Sequence, residues 1–227
     1  MPNFYVVATP IGNLEDITLR ALRVLKEADL ILCEDTRVTR KLLSHYEIKT
    51  PTESYHTHSK LSKTDKIIKM LEEGKNIALV SDAGTPTISD PGTLLVSKIY
   101  EHFGNEIKII PIPGASAIIS ALSVSGMPSS EFVFLGFLPH KKGRETLFKE
   151  IAESNRTIVF YESTHRLIKA LTSLEEHLSN DRQISVGKEL TKMFEEIIRG
   201  TATEILKYLD ENKDKIRGEF VVTVSPK

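Results

Sequence analysis

The sequence predicts an α/β protein built from sheets flanked by helices, and three observations carry that expectation. Short β-branched and apolar runs alternate with amphipathic stretches of helical period. Gly- and Pro-rich loops follow several of the early runs. A Gly/Pro/Lys stretch at residues 136–143 reads as a linker, which divides the chain into lobes at 1–135 and 136–227.

Taken in order, Phe4 to Ala8 is a strand ended by Thr9-Pro10. Asp16 is positioned to cap a helix with Ile17, Ala21, Val24, Leu25 and Ala28 on one face. Leu30 to Cys33 is a strand, 36–46 a helix, 60–73 a helix stopped by Gly74, and 76–80 a strand. A helix over 93–103, a strand over 107–111 and a helix running to Val124 follow. Past a strand at 132–135 come a helix (145–152), a strand (157–161), a helix (164–178), a strand (184–188) and a short strand near Ile197. Thr201 and Glu204 have the spacing of a capping box for a helix through Leu209. Phe220 to Val224 closes as a strand.

Composition narrows the class. The chain has 227 residues, 40% hydrophobic and 27% charged, which excludes a disordered or collagen-like chain. Lys plus Arg number 30 against 31 Asp plus Glu, so no basic footprint shows at whole-chain level. The lone Cys33 rules out an internal disulfide and points to a reducing, cytoplasmic setting. No signal peptide and no apolar run of membrane-spanning length is present.

Ligands in open α/β sheets bind beyond the carboxyl ends of the strands. Three loops qualify: 9–14, 81–92 and 113–117, each rich in small residues that let a ligand approach the backbone. None matches a Walker A or a dinucleotide fingerprint. Asp82 and Asp90 in the second loop suit a ligand bearing positive or hydroxyl groups. Glu34-Asp35-Thr36-Arg37, at the end of the second strand, reads either as substrate-orienting or acid–base chemistry, or as a helix cap with a solvated arginine. His56 and His58 alternate as metal ligands can, yet no further thiol or HExxH pattern supports them, and no metal is expected. Lys141, Lys142 and Arg144 form a basic cluster that is either solvated or turned to phosphates. Tyr161 to Arg166 and Gly187 to Lys192 place polar groups at strand ends of the second lobe.

These residues resemble the ribosomal RNA small subunit methyltransferase I family. The likeness runs through 8–18 (ATPIGNLEDIT), Glu34 to Arg37, the run 81–92, Phe160 to Glu162, His165-Arg166, Glu189 to Lys192 and Gly218 to Phe220, in order over nearly the whole chain. It implies a two-lobed tetrapyrrole-methylase fold, each lobe a sheet flanked by helices, with the active-site cleft between lobes. It implies an S-adenosylmethionine-dependent homodimer that methylates the 2′-oxygen of a cytidine ribose in 16S rRNA, in the decoding region. The acceptor would be the rRNA or the assembled small ribosomal subunit, and no membrane is involved. By position, Pro10, Asp82, Ala83, Gly84, Thr85, Ser116 and Ala117 would hold the cofactor, with Phe137, Leu138 and Tyr161 closing over it. The catalytic candidates are Asp35, Glu162 and Glu189, with Arg37 and Lys188 orienting phosphate or carboxylate groups.

Some positions depart from the family pattern: Lys188 replaces an expected arginine, Thr164 a proline and Ser59 an asparagine. Most members also continue into a helical stretch beyond the position of Lys227. These departures bear on RNA contacts more than on the cofactor. Two other readings are a methyltransferase of the same fold acting on a tetrapyrrole or a protein side chain, and a non-catalytic ribosome-binding protein. The first is disfavoured because Thr9-Pro10-Ile11-Gly12-Asn13 replaces the glycine-rich opening of the tetrapyrrole enzymes.

Overall fold

The computed structural model describes residues 2–56 and 61–227. His58, Ser59 and Lys60 lie outside the described residues. Two compact units divide between Ser116 and Ala117.

The first unit holds one all-parallel sheet of order β3-β2-β4-β1-β5. Its strands are β1 (Asn3–Val7), β2 (Leu30–Cys33), β3 (Thr52–Ser54), β4 (Ile77–Leu79) and β5 (Lys108–Ile112). The helices between them are α1 (Leu19–Glu27), α2 (Thr36–His45), α3 (Leu61–Glu72) and α4 (Thr93–Phe103). Strand residues alternate between two cores, as a sheet covered on both faces requires. Val7, Ile31, Cys33, Ala78 and Ile112 join Ala21, Val24 and Leu25 of α1 and Leu43 of α2. Phe4, Leu30, Leu32, Ile77 and Leu79 join Ile67 and Leu71 of α3 and Leu95 and Ile99 of α4. Cys33 is therefore a buried small hydrophobe.

This arrangement positions the site. Strands β1 and β2 feed helices on one face, while β4, lying between them, feeds a helix on the other. The loop after β4 thus stands at a topological switch, where α/β sheets bind ligands.

The second unit carries a mixed sheet of order β6-β7-β10-β8-β9. Its strands are β6 (Phe132–Phe137), β7 (Thr157–Ser163), β8 (Ile184–Lys188), β9 (Glu196–Gly200) and β10 (Glu219–Val224). Only β6 and β7 pair in parallel. Helices α6 (Arg144–Glu153), α7 (Thr164–His177) and α8 (Ala202–Glu211) cover one face around Phe148, Phe160, Leu171, Ile205 and Phe220. Helix α5 (Ala117–Ser125) packs against β7 to β10, with Ile118, Ala121 and Leu122 buried. Arg182, 6% exposed, donates to the carbonyls of Ile151, Ala152 and Ser225, so the end of α6 holds a guanidinium without a carboxylate.

Three sequence expectations change here. The strand at 132–137 belongs to the second sheet, and α5 to the second unit, so the division lies before α5 rather than at 135/136. Gly136 and Phe137 are strand residues and not linker; Gly136, at φ 63°, supplies the register shift between Phe134 and Phe137. Further back, α1 is capped by Thr18, whose hydroxyl accepts from the Ala21 N–H, instead of by Asp16. Asp16 lies in a short 3-10 turn, Leu14–Asp16, capped by Asn13.

Candidate active site

The loop 81–92 ties together the strand ends around it. Thr9 and Gly84 exchange backbone hydrogen bonds of 2.9 and 3.0 Å. The Thr9 hydroxyl donates to the Ser81 carbonyl at 3.2 Å, and the Thr85 hydroxyl to the Ala115 carbonyl at 3.2 Å. On the β2 side, the Asp35 N–H donates to the Asp82 carboxylate at 3.0 Å. One loop therefore joins the ends of β1, β2, β4 and β5. It brings Asp82, Ala83, Gly84 and Thr85 beside the segments that carry Thr9-Pro10 and Ala115-Ser116.

Its backbone is strained. Thr87 and Ser89 have φ of 73° and 64°, left-handed values that a β-branched residue such as Thr rarely adopts. Strain of this kind persists where surrounding contacts fix it, and it clusters at functional sites. Gly84 also sits at φ 80°, where an added Cβ would lie 3.4 Å from Ile11 Cγ2.

The electrostatics are one-sided. Burial pushes the Asp90 carboxyl up to about 6; the Ser81 hydroxyl opposes this, and the charges of Glu34 and Asp82 add to it. Burial likewise raises Glu34, with Asp82 and Asp35 adding to it and His56 opposing. Carboxylates raised chiefly by burial, with like charges adding, are favoured in their ionised form by a cationic ligand. Asp35 goes the other way. Arg37 hydrogen-bonds it through side chain and backbone and pulls it down to about 2. Asp35 is thus the cap of α2 and an ion-pair partner, a poor base for a hydroxyl. The Arg37 side chain is 86% exposed and open to an anion.

In the second unit, Glu162 and Lys188 both register with Phe220 on the helix-covered face of the sheet. Glu162 is 1% exposed. It accepts from Arg166 Nε at 2.6 Å and from the Ser163 N–H at 2.8 Å, with Arg144 Nη1 at 3.8 Å. Arg144 also donates to the Pro139 carbonyl and stacks on Phe148. Glu162 therefore fastens β7, α7 and the start of α6, where the sequence offered it as a base. Glu189 holds a strained φ of 46° and accepts from Lys192 and from the Glu219 N–H. Burial would raise it, but these bonds win and its carboxyl is lowered. Lys188 is 7% exposed.

Leu138 is packed into the core, so only its backbone can face a ligand. Phe137 is 62% exposed, its ring 5.3 Å from that of Tyr161. Among the described residues no cluster of His, Cys, Asp and Glu is placed to hold a metal. No described helix is long and apolar enough to cross a membrane.

The sequence pointed to Asp82 and Asp90 through their charge, but Asp90 and Glu34 did not stand among its chosen site residues. Their significance depends on burial and on mutual proximity across strands, which one-dimensional spacing does not carry.

The chain resembles known proteins over its whole length. The Tetrapyrrole (Corrin/Porphyrin) Methylases family matches residues 3–206. The chain is 45% identical to "Ribosomal RNA small subunit methyltransferase I" of Thermotoga maritima over 100% of both chains. It is 48% identical to the protein of that name in Synechocystis sp., over 97% of this chain and 78% of the relative. For the protein of that name in Bacillus subtilis the figures are 49%, 97% and 74%. The chain belongs to the ribosomal RNA small subunit methyltransferase I family of tetrapyrrole methylases. It is a methyltransferase. Solved structures agree on the fold. The methyltransferase CobJ aligns at a TM-score of 0.70 with 19% identity, covering 100% of this chain and 95% of that one. Cobalt precorrin-4 methyltransferase CbiF aligns at 0.69 with 18% identity, covering 98% and 94%.

Proposed function

We propose that this chain transfers a methyl group from S-adenosylmethionine to the 2′-oxygen of a cytidine ribose in the decoding region of 16S rRNA. It does so as a homodimer in the cytoplasm, on naked rRNA or the assembled small subunit. The observation that carries the reading is sustained identity, 45% over the full length of the Thermotoga maritima relative. The site's acidity is compatible with it: Glu34, beyond β2, and Asp90, in the loop 81–92, offer carboxylates to a cofactor with a sulfonium and an ammonium.

When bound, S-adenosylmethionine supplies a methyl group already activated on sulfur. In this proposal Pro10, Asp82, Ala83, Gly84, Thr85, Ser116 and Ala117 hold the cofactor, and Asp90 and Glu34 complement its charge. Phe137 and Tyr161 present aromatic surface of the kind a purine takes. Arg37 orients a phosphate, and Asp35 orients Arg37. With an activated methyl, positioning accounts for much of the catalysis.

The test is transfer of labelled methyl to small subunits lacking the modification, mapped by mass spectrometry. A single methylated cytidine ribose is expected. No transfer with cofactor binding intact overturns the proposal, and transfer to a tetrapyrrole or a protein side chain replaces it. A second expectation concerns the cradle. Gly84→Leu forces a side chain onto a left-handed backbone beside Ile11 and is expected to weaken cofactor binding about tenfold or more. Calorimetry reads this, with circular dichroism unchanged; normal affinity would move the pocket elsewhere.

A further inference from the structure

We propose that the outer face of α2 is a docking surface for the RNA backbone, with Arg37, Arg40 and Lys41 set against phosphates. This rests on the RNA-methyltransferase reading above. Helix α2 turns Thr39, Leu42 and Leu43 inward, which leaves Arg37, Arg40 and Lys41 exposed on the other side. The sequence of the helix, TRVTRKLLSH, contains no acidic residue.

On three other helices a surface cation pairs with a carboxylate about one turn away. Arg23 pairs with Glu27 at 2.9 Å, Lys98 with Glu101 at 2.6 Å and Lys149 with Glu145 at 3.6 Å. On α2 the corresponding spacings, Arg37–Arg40 and Arg37–Lys41, bring like charges together. Arg37 has Asp35 as a partner; Arg40 and Lys41 make no hydrogen bond or ion pair among the described residues. Arg37, in the first turn, also opposes the helix dipole. Like charges at these spacings cost the helix stability, and no described residue forms a hydrogen bond or ion pair with Arg40 or Lys41.

Overall basicity does not explain the cluster, because the whole chain carries a net charge of −1. Helix α1, which packs on the same core, turns Arg20 and Lys26 outward as well. The stripe also begins at the candidate site, since Asp35, the cap of α2, is the residue whose N–H bonds Asp82. From Arg37 to Lys41 it runs about 6 Å along the axis. Exposed cations in a row, Arg40 and Lys41 of them unpaired, complement a polyanion and gain affinity by releasing its counterions.

The test replaces both unpaired cations, Arg40→Gln with Lys41→Gln, which keeps helix propensity and leaves Arg37 in place. Affinity for naked 16S rRNA is measured across a salt series. The slope of log affinity against log salt is expected to become shallower by about 1.4, near 0.7 per charge for a single strand. Cofactor affinity should stay unchanged and thermal stability unchanged or higher, which a structural role for these residues would not produce. An unchanged slope overturns the proposal. So does an unchanged slope accompanied by lost retention on phosphatidylserine vesicles, which would assign the face to a membrane surface. Methyl transfer by the parent protein separates the two claims. Its absence removes the function proposed above, while intact transfer with an unchanged slope removes only the α2 surface.

Discussion

Asp90→Asn is expected to weaken S-adenosylmethionine binding at pH 7.5 by roughly 10–100-fold, the usual worth of a hydrogen-bonded charge. In the parent protein, affinity should rise with pH through about 6, where the Asp90 carboxyl titrates, and then level off. One unit below that value the carboxylate is about a tenth populated, so binding at pH 5 should be about tenfold weaker than at pH 7.5. The variant should show no such step. Stability should move the opposite way. The carboxyl titrates near 4 in the unfolded chain and near 6 in the fold. The folded protein therefore keeps a proton that the unfolded chain has lost. This contribution is full below pH 4 and disappears as pH rises through 6. Asparagine stays neutral throughout. At pH 7.5 the cofactor-free variant should gain on the order of 1–2 kcal/mol, allowing for partial exposure of the site. Glu34, Asp82 and the Ser81 hydroxyl are the groups facing Asp90, and none is altered. Calorimetry at the two pH values reads the first effect and urea unfolding the second. PH-independent binding by the parent would sink the assignment.

Glu162→Gln carries the largest expected cost in stability. The carboxylate is buried against Arg166 and within 3.8 Å of Arg144, itself 7% exposed. Removing its charge leaves two guanidiniums in the interior without a counter-ion, a change that costs about 3–5 kcal/mol. Chemical denaturation of the second unit should show a loss of this size. Methyl transfer should fall only with the folded fraction. Intact stability with abolished transfer would restore Glu162 as a catalytic base. Replacing Glu162, Arg144 and Arg166 together by apolar residues of similar volume should recover much of the stability, since an ion network and a well-packed apolar cluster are often equivalent.

Local structure was largely legible in the sequence. The strand Ile184–Lys188 and the capping box at Thr201 and Glu204 follow from β-branched runs and side-chain-to-backbone bonding, both of which act over a few residues. Helix α2 likewise begins at Thr36, after Asp35. The three-residue β3, Thr52–Ser54, gave no signal because its pattern is too short and too polar. The allegiance of α5 was hidden as well: its apolar residues fit either sheet, and only packing shows that it joins the second. At the site, small residues beyond the strand ends located the loops that hold Asp82 and Gly84. The family resemblance gave Asp35, Glu162 and Glu189 equal standing. Their partners distinguish them: Arg37 lowers Asp35, Arg166 and Arg144 enclose Glu162, and Lys192 ties Glu189. Each of these facts depends on tertiary burial or on contacts that a linear reading does not order.

The strand orders of the two sheets also set a timetable for synthesis. Strand β1 lies between β4 and β5, yet it is the first strand made. It has no partner on the ribosome until residues 77–79 have followed it, and its second partner waits for residues 108–112. At about 5–20 residues per second, that delay is on the order of 5–20 s. In the second unit the central strand is β10, which is translated after every strand it joins. Strands β7 and β8 therefore emerge with a gap between them that only the last strand of the unit can fill. A nascent chain of this protein spends much of its synthesis with open sheet edges, a period in which holding chaperones and a low local concentration protect it.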